Sequence, residues 1–251
     1  MTTAGLGALA FPCGRPSDRW LAGAVLFSAL LVCGVEALGA LQWLTPWALV
    51  GALAAATALV ALVRRPRSSP RFVLQTSSVT APILVVAFAA LAATVLAATW
   101  LPVWQWDALG YHLPYVNFVL VARGFRGVPA DMQYVSTYPH NIEMFMIALR
   151  AMLPDDRLVD AIQIPLALLG AATVGGIARR LDAPPAEALA GAAAWLVVPA
   201  VFLQMPTDYV DIGSATFLLL AIYFVLSAPG AIRSGRAMTS SRNASASVRS
   251  L

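Results

Sequence analysis

The chain has 251 residues, of which 60% are hydrophobic and 11% are charged. Soluble domains average roughly 45–50% apolar and 25% charged residues, so this composition excludes an ordinary water-soluble domain. The formal net charge of +4 comes from short arginine clusters between apolar segments, not from one continuous basic face. This pattern argues against a nucleic-acid partner and indicates a protein of the lipid bilayer.

Six apolar segments are long enough, or nearly so, to cross a bilayer as helices. The hydrocarbon core is about 30 Å thick and needs roughly 20 apolar residues, because no backbone group can stay unpaired in lipid. The sequence therefore predicts an all-α fold, a polytopic membrane helix bundle with about six transmembrane helices. In chain order the predicted spans are Trp20–Trp43, Pro46–Val63, Ala81–Trp100, Leu158–Ile177, Ala188–Gln204 and Tyr209–Ser227.

The arginines predict the orientation of these spans, because short loops rich in basic residues stay in the cytoplasm. If the N-terminus lies inside, every short arginine-rich connection falls on the inner side. The arginines concerned are Arg15, Arg19, Arg64, Arg65, Arg67, Arg71, Arg179, Arg180, Arg233 and Arg236. We therefore expect a multi-pass protein of the inner (plasma) membrane of a cell envelope, with both termini cytoplasmic.

Domain boundaries follow from composition. Residues 1–228 form the predicted transmembrane domain, whereas 229–251 are rich in Ser, Arg, Ala and Gly without an apolar period, which predicts a disordered cytoplasmic tail.

Residues 101–157 form a predicted outer loop far longer than most connections. It contains two segments of helical period, Leu109–Ala122 and Ile142–Met152, that are too short to span. We expect them to be amphipathic helices along the outer membrane surface.

Asp107 follows the third span and opens the first of these outer segments. Carboxylates at a membrane edge are functional candidates, because burying one there without need is expensive. Asp107 could be a general base or a metal-binding carboxylate at a polar cavity. Equally, it could accept a backbone hydrogen bond as the N-cap of the helix. His112 could orient a phosphate or a metal, or could be an interfacial side chain.

Two more polar clusters fall on the same predicted side. His140 and Glu143 are three residues apart on one helix face and could hold a divalent metal ion or a phosphate. They could instead cap that helix and complement its dipole. Asp208 and Asp211 share a face at the outer mouth of the sixth span, where Asp208 could also be a cap. Together with Asp107, these acids make a shared outer site plausible.

The order and common sidedness of several motifs resemble a known family. These motifs are Trp106-Asp107 with Tyr111-His112, Tyr138-Pro139 with Glu143, Ala178-Arg179-Arg180-Leu181, and Pro206-Thr207-Asp208-Tyr209-Val210-Asp211. The chain resembles the polyprenyl-phosphate-sugar-dependent glycosyltransferases of the membrane-embedded C-type fold, which include relatives of the protein O-mannosyltransferases and of the lipid A aminoarabinose transferase. The resemblance covers about Trp100 to Leu226.

This resemblance implies a catalytic aspartate, which maps onto Asp107, and a lipid-linked sugar as partner. In such enzymes the acceptor oxygen attacks the anomeric carbon and the polyprenyl phosphate leaves with inversion. Basic residues are expected near that phosphate, where they would stabilise its negative charge. The residues expected to bind substrate are Tyr111, His112, Tyr138, His140, Glu143, Arg123, Arg126, Arg150, Asp208 and Asp211.

The chain departs from this family in its length, because members have about twice as many spans. We therefore expect the chain to be the N-terminal half of such an enzyme. Two other classes of function fit the same residues. A transporter or flippase would use acids lining a membrane cavity. A non-catalytic membrane scaffold would need its acids only for stability.

Overall fold

The computed structural model describes residues 16–63, 80–153 and 155–228. Within these ranges the chain is helical and contains no strand, so the predicted all-α fold is confirmed. The predicted tail at 229–251 and the inner arginine cluster at 64–71 lie outside the described residues.

The helices follow one another with short connections. They are α1 (Pro16–Ala40), α2 (Pro46–Val63), α3 (Thr80–Trp100), α4 (Leu113–Val121), α5 (Gln133–Thr137), α6 (Glu143–Met152), α7 (Gln163–Arg180), α8 (Pro185–Val197), α9 (Pro199–Gln204) and α10 (Asp211–Ser227). A π-helical turn, Ala108–His112, precedes α4, and 3-10 turns cover Phe125–Gly127 and Asp156–Ile162. Proline opens α2, α8 and α9, where its missing N–H has no intrahelical partner to lose.

Three of the described helical segments are long and apolar enough to cross a membrane. They are Ser17–Ala40, Thr80–Trp100 and Leu158–Arg180. The chain is therefore a membrane protein by the length and composition of its helices. The predicted count of about six spans stays a prediction.

The predicted fifth span, Ala188–Gln204, is not one continuous helix. Helix α8 ends at Val197, and Val198 is extended, with φ −57° and ψ 126°. Pro199 then starts α9. Proline disfavours helical conformation in the residue before it and cannot continue the hydrogen-bond ladder, so the break follows from the local sequence.

Helix α7 packs against both α8 and α10, and small residues let the helices approach closely. A Cβ on Gly170 would lie 2.8 Å from both Thr216 Oγ1 and Trp195 Nε1. Both polar groups are satisfied by carbonyls of α7: the Trp195 indole donates to Ala167 at 3.1 Å and Thr216 donates to Leu166 at 3.0 Å. These hydrogen bonds fix the rotation of the helices about one another.

At the opposite end of the bundle from the outer loop, a buried polar clamp ties α1, α7 and α10 together. Arg180 and the hydroxyl of Tyr223 both donate hydrogen bonds to the buried carboxylate of Asp18. The Arg180 guanidinium also lies 5.3 Å from the centre of the Tyr223 ring. One carboxylate therefore links the ends of three helices.

The outer loop contains a helix that is continuous from Trp106 to Val121 but is wider at its start. The N–H of Leu113 donates to the carbonyl of Ala108, five residues earlier, which defines the π turn. Pro114 follows at the second position of α4. Because proline has no N–H and crowds the carbonyl four residues before it, a wider preceding turn accommodates it. Such π turns are frequent at functional sites.

Both predicted outer helices exist, and each has a protein-facing side. Helix α6 buries Met144, Met146 and Ile147 against neighbouring helices and contacts α1 and α4. Helix α4 buries Val116 and Val119. The two helices run alongside each other with their starts together, because His112 contacts Glu143 at the starts and Asn117 contacts Arg150 further along. Their first turns present the polar side chains of the site.

Candidate functional site

Asp107 lies within the continuous helix rather than at its cap. Its backbone is helical, with φ −66° and ψ −38°, and its side chain makes no capping hydrogen bond. The capping interpretation of this residue is therefore wrong. A half-buried carboxylate that does not stabilise the helix end has to be explained by its side-chain neighbours.

The neighbours of Asp107 are tyrosines. Burial raises the pKa of the Tyr111 phenol well above its usual value, and the charge of Asp107 together with its hydrogen bond to Tyr111 raises it further. The charge of Asp211 acts on Tyr111 in the same direction. Asp107 and Asp211 are also both close enough to act electrostatically on Tyr209, whose hydroxyl donates to Gln105 at 3.2 Å. The two aspartates therefore share one neighbourhood.

A buried triad of Glu143, His112 and His140 lies beside this neighbourhood. Glu143 is only 1% exposed, and its Oε1 accepts hydrogen bonds from Nδ1 of His112 at 2.8 Å and Nδ1 of His140 at 3.2 Å. Burial acts to raise the pKa of Glu143, but the hydrogen bonds from the two histidines outweigh it, and the net pKa lies below its usual value. Glu143 is therefore ionised at neutral pH.

An ionised carboxylate can only accept, so each imidazole must place a hydrogen on Nδ1. In the neutral ring the Nε2 atom is then the acceptor, and the carboxylate fixes both its tautomer and its orientation. Within the described part of the chain, His140 Nε2 and Glu143 Oε2 are buried and have no hydrogen-bond partner. Buried polar atoms normally have partners, so these two atoms leave unused hydrogen-bonding capacity inside the triad.

Aromatic rings join the triad to Asp107. Tyr111 contacts the His112 ring, with 4.2 Å between centroids, and the Tyr138 ring, with 5.3 Å. Tyr115 stacks on His140 at 3.6 Å with an interplanar angle of 12°. We call the combined group the outer-loop site. Its members are Asp107, Tyr111, His112, Tyr115, Tyr138, His140, Glu143 and Asp211.

A cavity of about 710 Å³ is lined by 99–103, Leu109 and Leu113, none of which belongs to the outer-loop site. This volume is within the range of about 300–1,000 Å³ that small-molecule sites occupy. Leu109 and Leu113 belong to the same helix as Asp107, and the remaining lining residues come from the end of α3 and the segment that follows it.

Asp208 lies elsewhere than its sequence position suggests. Helix α10 starts only at Asp211, so Asp208 and Asp211 do not share a helix face. Asp208 is 0% exposed and pairs with the carboxyl group of Asp160, which is also buried. Asp160 belongs to the candidate membrane span Leu158–Arg180, so the two carboxyl groups are buried together near the start of that span. Sequence reasoning missed Asp160; a lone acid beside a predicted span start was its only signal.

The three outer arginines are not gathered around Asp107. Arg123 and Arg150 line a second cavity of about 630 Å³, whereas Arg126 sits in the 3-10 turn Phe125–Gly127. At about 1.5 Å per residue, the helix from Asp107 towards Arg123 separates them by on the order of 20 Å. Arg123 therefore lies beyond the far end of the helix from Asp107.

Within the described ranges, no group of three or more histidine, cysteine, aspartate or glutamate side chains is arranged to hold a metal ion. The triad illustrates the reason, because both Nδ1 atoms point at one oxygen of Glu143. Comparisons with protein-family models, with curated proteins and with solved structures found no match. The function of the outer-loop site is therefore inferred from its residues and their geometry.

Proposed function

We propose that the chain is all or part of an inverting glycosyltransferase that takes a sugar from a polyprenyl-phosphate donor and transfers it to an acceptor on the outer side of the membrane. One observation carries the proposal. Asp107 is a carboxylate that does not cap its helix and lies against the phenol of Tyr111, next to the buried triad of Glu143 and two histidines. That placement fits a general base.

In the proposed reaction the acceptor hydroxyl gives its proton to Asp107 while its oxygen bonds to the anomeric carbon of the sugar. The bond from that carbon to the phosphate oxygen breaks, and the polyprenyl phosphate leaves with inversion. Glu143 Oε2 and His140 Nε2 would accept hydrogen bonds from sugar hydroxyls, which supports a polyhydroxylated substrate. The rings of Tyr111 and Tyr138 offer apolar faces to the sugar.

The proposed topology places the outer-loop site on the non-cytoplasmic face of an inner (plasma) membrane, with both termini inside. Six crossings would be needed, three by the long helices and three by shorter apolar ones. The shorter apolar helices that support this count are Pro46–Ala58, Pro185–Val197 and Asp211–Ser227. The inner clamp on Asp18 agrees with this arrangement, because it joins the helix ends expected on the cytoplasmic side.

The test is Asp107→Asn, with Asp131→Asn as the matched control. Asparagine keeps the size of the side chain and removes its charge, and Asp131 is an exposed acid in the same loop. Sugar transfer is measured in membranes of the host organism expressing the complete native reading frame, with a panel of polyprenyl-phosphate hexoses and pentoses. Loss of general-base help should lower the rate about 10²–10⁴-fold in Asp107→Asn alone. Unchanged transfer by Asp107→Asn would refute the role of Asp107.

A transporter is the second candidate, and one observation favours it. Asp160 and Asp208 are both buried and lie next to each other just before α7 begins, and carboxyl groups inside a membrane serve proton relays in pumps and transporters. Asp160→Asn discriminates between the two functions. A transporter should lose proton-coupled uptake or export in membrane vesicles, whereas a transferase should keep the chemistry that depends on Asp107.

A further inference from the structure

The second cavity, of about 630 Å³, lies where the loop between α1 and α2 meets the ends of α4 and α6. We call it the arginine cavity. It is lined by Leu44, Thr45, Pro46, Trp47, Asn117, Leu120, Val121, Arg123, Arg150 and Ala151. None of these lining residues is acidic, and two of them carry guanidinium groups.

The two arginines are held in place from different elements. Arg150 Nη2 donates to Asn117 Oδ1 at 3.2 Å, which fixes the end of α6 against α4. The carbonyl of Arg123 accepts a hydrogen bond from Leu44 N–H at 3.0 Å, which fixes the turn after α4 against the loop before α2. The cavity is therefore a built feature of the fold, because three separate segments converge on it.

Arg123 also has an unusual backbone. Its φ is +56°, a left-handed conformation in which glycine or asparagine is ordinarily preferred. An arginine at such a position carries a conformational cost, and strained residues of this kind concentrate at ligand sites. The side chain is exposed and lines the cavity. The same left-handed φ occurs at Gln42 and Asp182, which also follow helix ends, so the backbone of Arg123 reflects the end of α4, and the contribution of Arg123 to the cavity is its guanidinium.

Helix α2 adds a second source of positive potential. It begins at Pro46 beside the cavity, with the Thr45 hydroxyl accepting from Ala48 N–H at 3.2 Å. The start of a helix carries a partial positive charge that favours anions. Together with the two guanidinium groups, this charge favours a phosphate, for which arginine supplies paired N–H donors.

The rim of the cavity is apolar. Trp47 is 82% exposed and Val121 is 88% exposed. Tryptophans at the end of a membrane helix lie at the level of lipid headgroups. A soluble anion would leave these side chains in water, whereas the acyl chains of a lipid would cover them. The cavity therefore combines two arginine side chains with an exposed apolar rim, and an anionic lipid can contact both.

We propose that the arginine cavity binds the phosphate-bearing headgroup of an anionic phospholipid. The site is separate from the outer-loop site, since Arg150 is seven residues beyond Glu143 along α6, or about 10 Å at the rise of a helix. The proposal therefore does not depend on glycosyl transfer. The predicted topology puts Arg123 and Arg150 on the outer side, although basic residues in loops usually stay on the cytoplasmic side. The proposal explains these two arginines by lipid binding.

The test measures lipid binding to the detergent-purified chain by native mass spectrometry. The protein is titrated with phosphatidylglycerol, with zwitterionic phosphatidylcholine and with inorganic phosphate. The variants are Arg123→Ala with Arg150→Ala, Arg126→Ala as the matched control, and Asn117→Asp. The last is nearly isosteric, keeps the packing of α4 and α6, and places a carboxylate beside Arg150. Circular dichroism checks that each variant is folded.

We expect saturable binding of phosphatidylglycerol to the unchanged protein and to Arg126→Ala. Both the double arginine variant and Asn117→Asp should bind roughly tenfold more weakly or worse, because charge-assisted hydrogen bonds to phosphate are lost or neutralised. Equal weakening by Arg126→Ala would reduce the effect to general surface charge and overturn the proposal. Displacement of the lipid by millimolar inorganic phosphate would make the site one for soluble anions, which also overturns it.

Discussion

Glu143→Gln tests whether the negative charge of Glu143 stabilises the buried triad. Glutamine has nearly the same shape, and its amide oxygen can still face the Nδ1 atoms of His112 and His140. What it loses is the ionised acceptor that now receives both hydrogen bonds, at 2.8 and 3.2 Å. Hydrogen bonds to charged groups contribute about 1.5–3 kcal/mol each, and neutral ones about 0.5–1.5 kcal/mol. The substitution should therefore cost about 2 kcal/mol in the free energy of unfolding.

The opposing effect is relief of the burial of a charge. Because the net pKa of Glu143 is lowered, the two hydrogen bonds outweigh that burial penalty in the folded protein. We therefore expect Glu143→Gln to be less stable at neutral pH. In chains of 150–250 residues about 1 kcal/mol corresponds to a change in melting temperature of about 2–4 °C, so the expected decrease is roughly 4–8 °C.

The stabilisation by Glu143 should decrease in a defined pH range. A carboxyl whose pKa is lower in the folded than in the unfolded state stabilises the fold fully above its unfolded pKa, here about 4.5. That stabilisation disappears as the pH falls through the folded pKa. The difference in melting temperature between the unchanged protein and Glu143→Gln should therefore be constant near neutral pH and shrink below about 4.5.

The assay is thermal unfolding of detergent-solubilised protein between pH 7 and pH 3.5, followed by circular dichroism. Glu187→Gln is the control, because Glu187 is an exposed acid in the first turn of α8. A Glu143→Gln variant as stable as the unchanged protein at pH 7 would show that burial cancels the hydrogen bonds. A difference that persists unchanged at pH 3.5 would show that the charge of Glu143 is not its cause.

Two further predictions concern topology and the inner clamp. The labelling experiment uses a background in which Cys13 and Cys33 are replaced by serine. A cysteine introduced at the exposed Ser136 should react with a membrane-impermeant reagent in intact cells, whereas a cysteine at Glu187 should react only after lysis. The reverse pattern would refute the orientation. Tyr223→Phe removes a hydroxyl that donates to Asp18, so it should lower the free energy of unfolding by about 1.5–3 kcal/mol. The control is Tyr134→Phe, at an exposed tyrosine, which should unfold like the unchanged protein. Equal melting temperatures for the two variants would contradict the clamp.

The sequence was sufficient for those features that depend on local pattern. Apolar length predicted the helices, and helical period predicted α4 and α6 in the outer loop. The broken helix at Pro199 could also have been predicted, since a proline inside an apolar run ends a helix at the residue before it. Hydrophobicity alone does not reveal this break, because the residues on both sides of Pro199 are apolar.

Features that depend on tertiary contacts could not be predicted from the sequence. His112 and His140 are 28 residues apart, yet they bind the same oxygen of Glu143 because α4 and α6 lie side by side. Asp160 meets Asp208 across 48 residues. Periodicity gives the face of each helix but not its neighbour, so the partners of a charged residue remain open until the helices are packed.

The π turn at Ala108–His112 makes the outer-loop site depend on residue count as well as residue identity. Each residue added to or removed from a helix rotates everything beyond it by about 100°. The π turn holds one residue more than an α-helical turn, so removing one residue there would restore an ordinary α-helix with little change in the rotation of Asp107 relative to Tyr115, whereas adding one would rotate them apart. Single substitutions can change the side chains of this site one at a time, whereas a single-codon insertion would change the alignment of the whole site at once. Natural variation in this segment should therefore accept substitutions more readily than insertions.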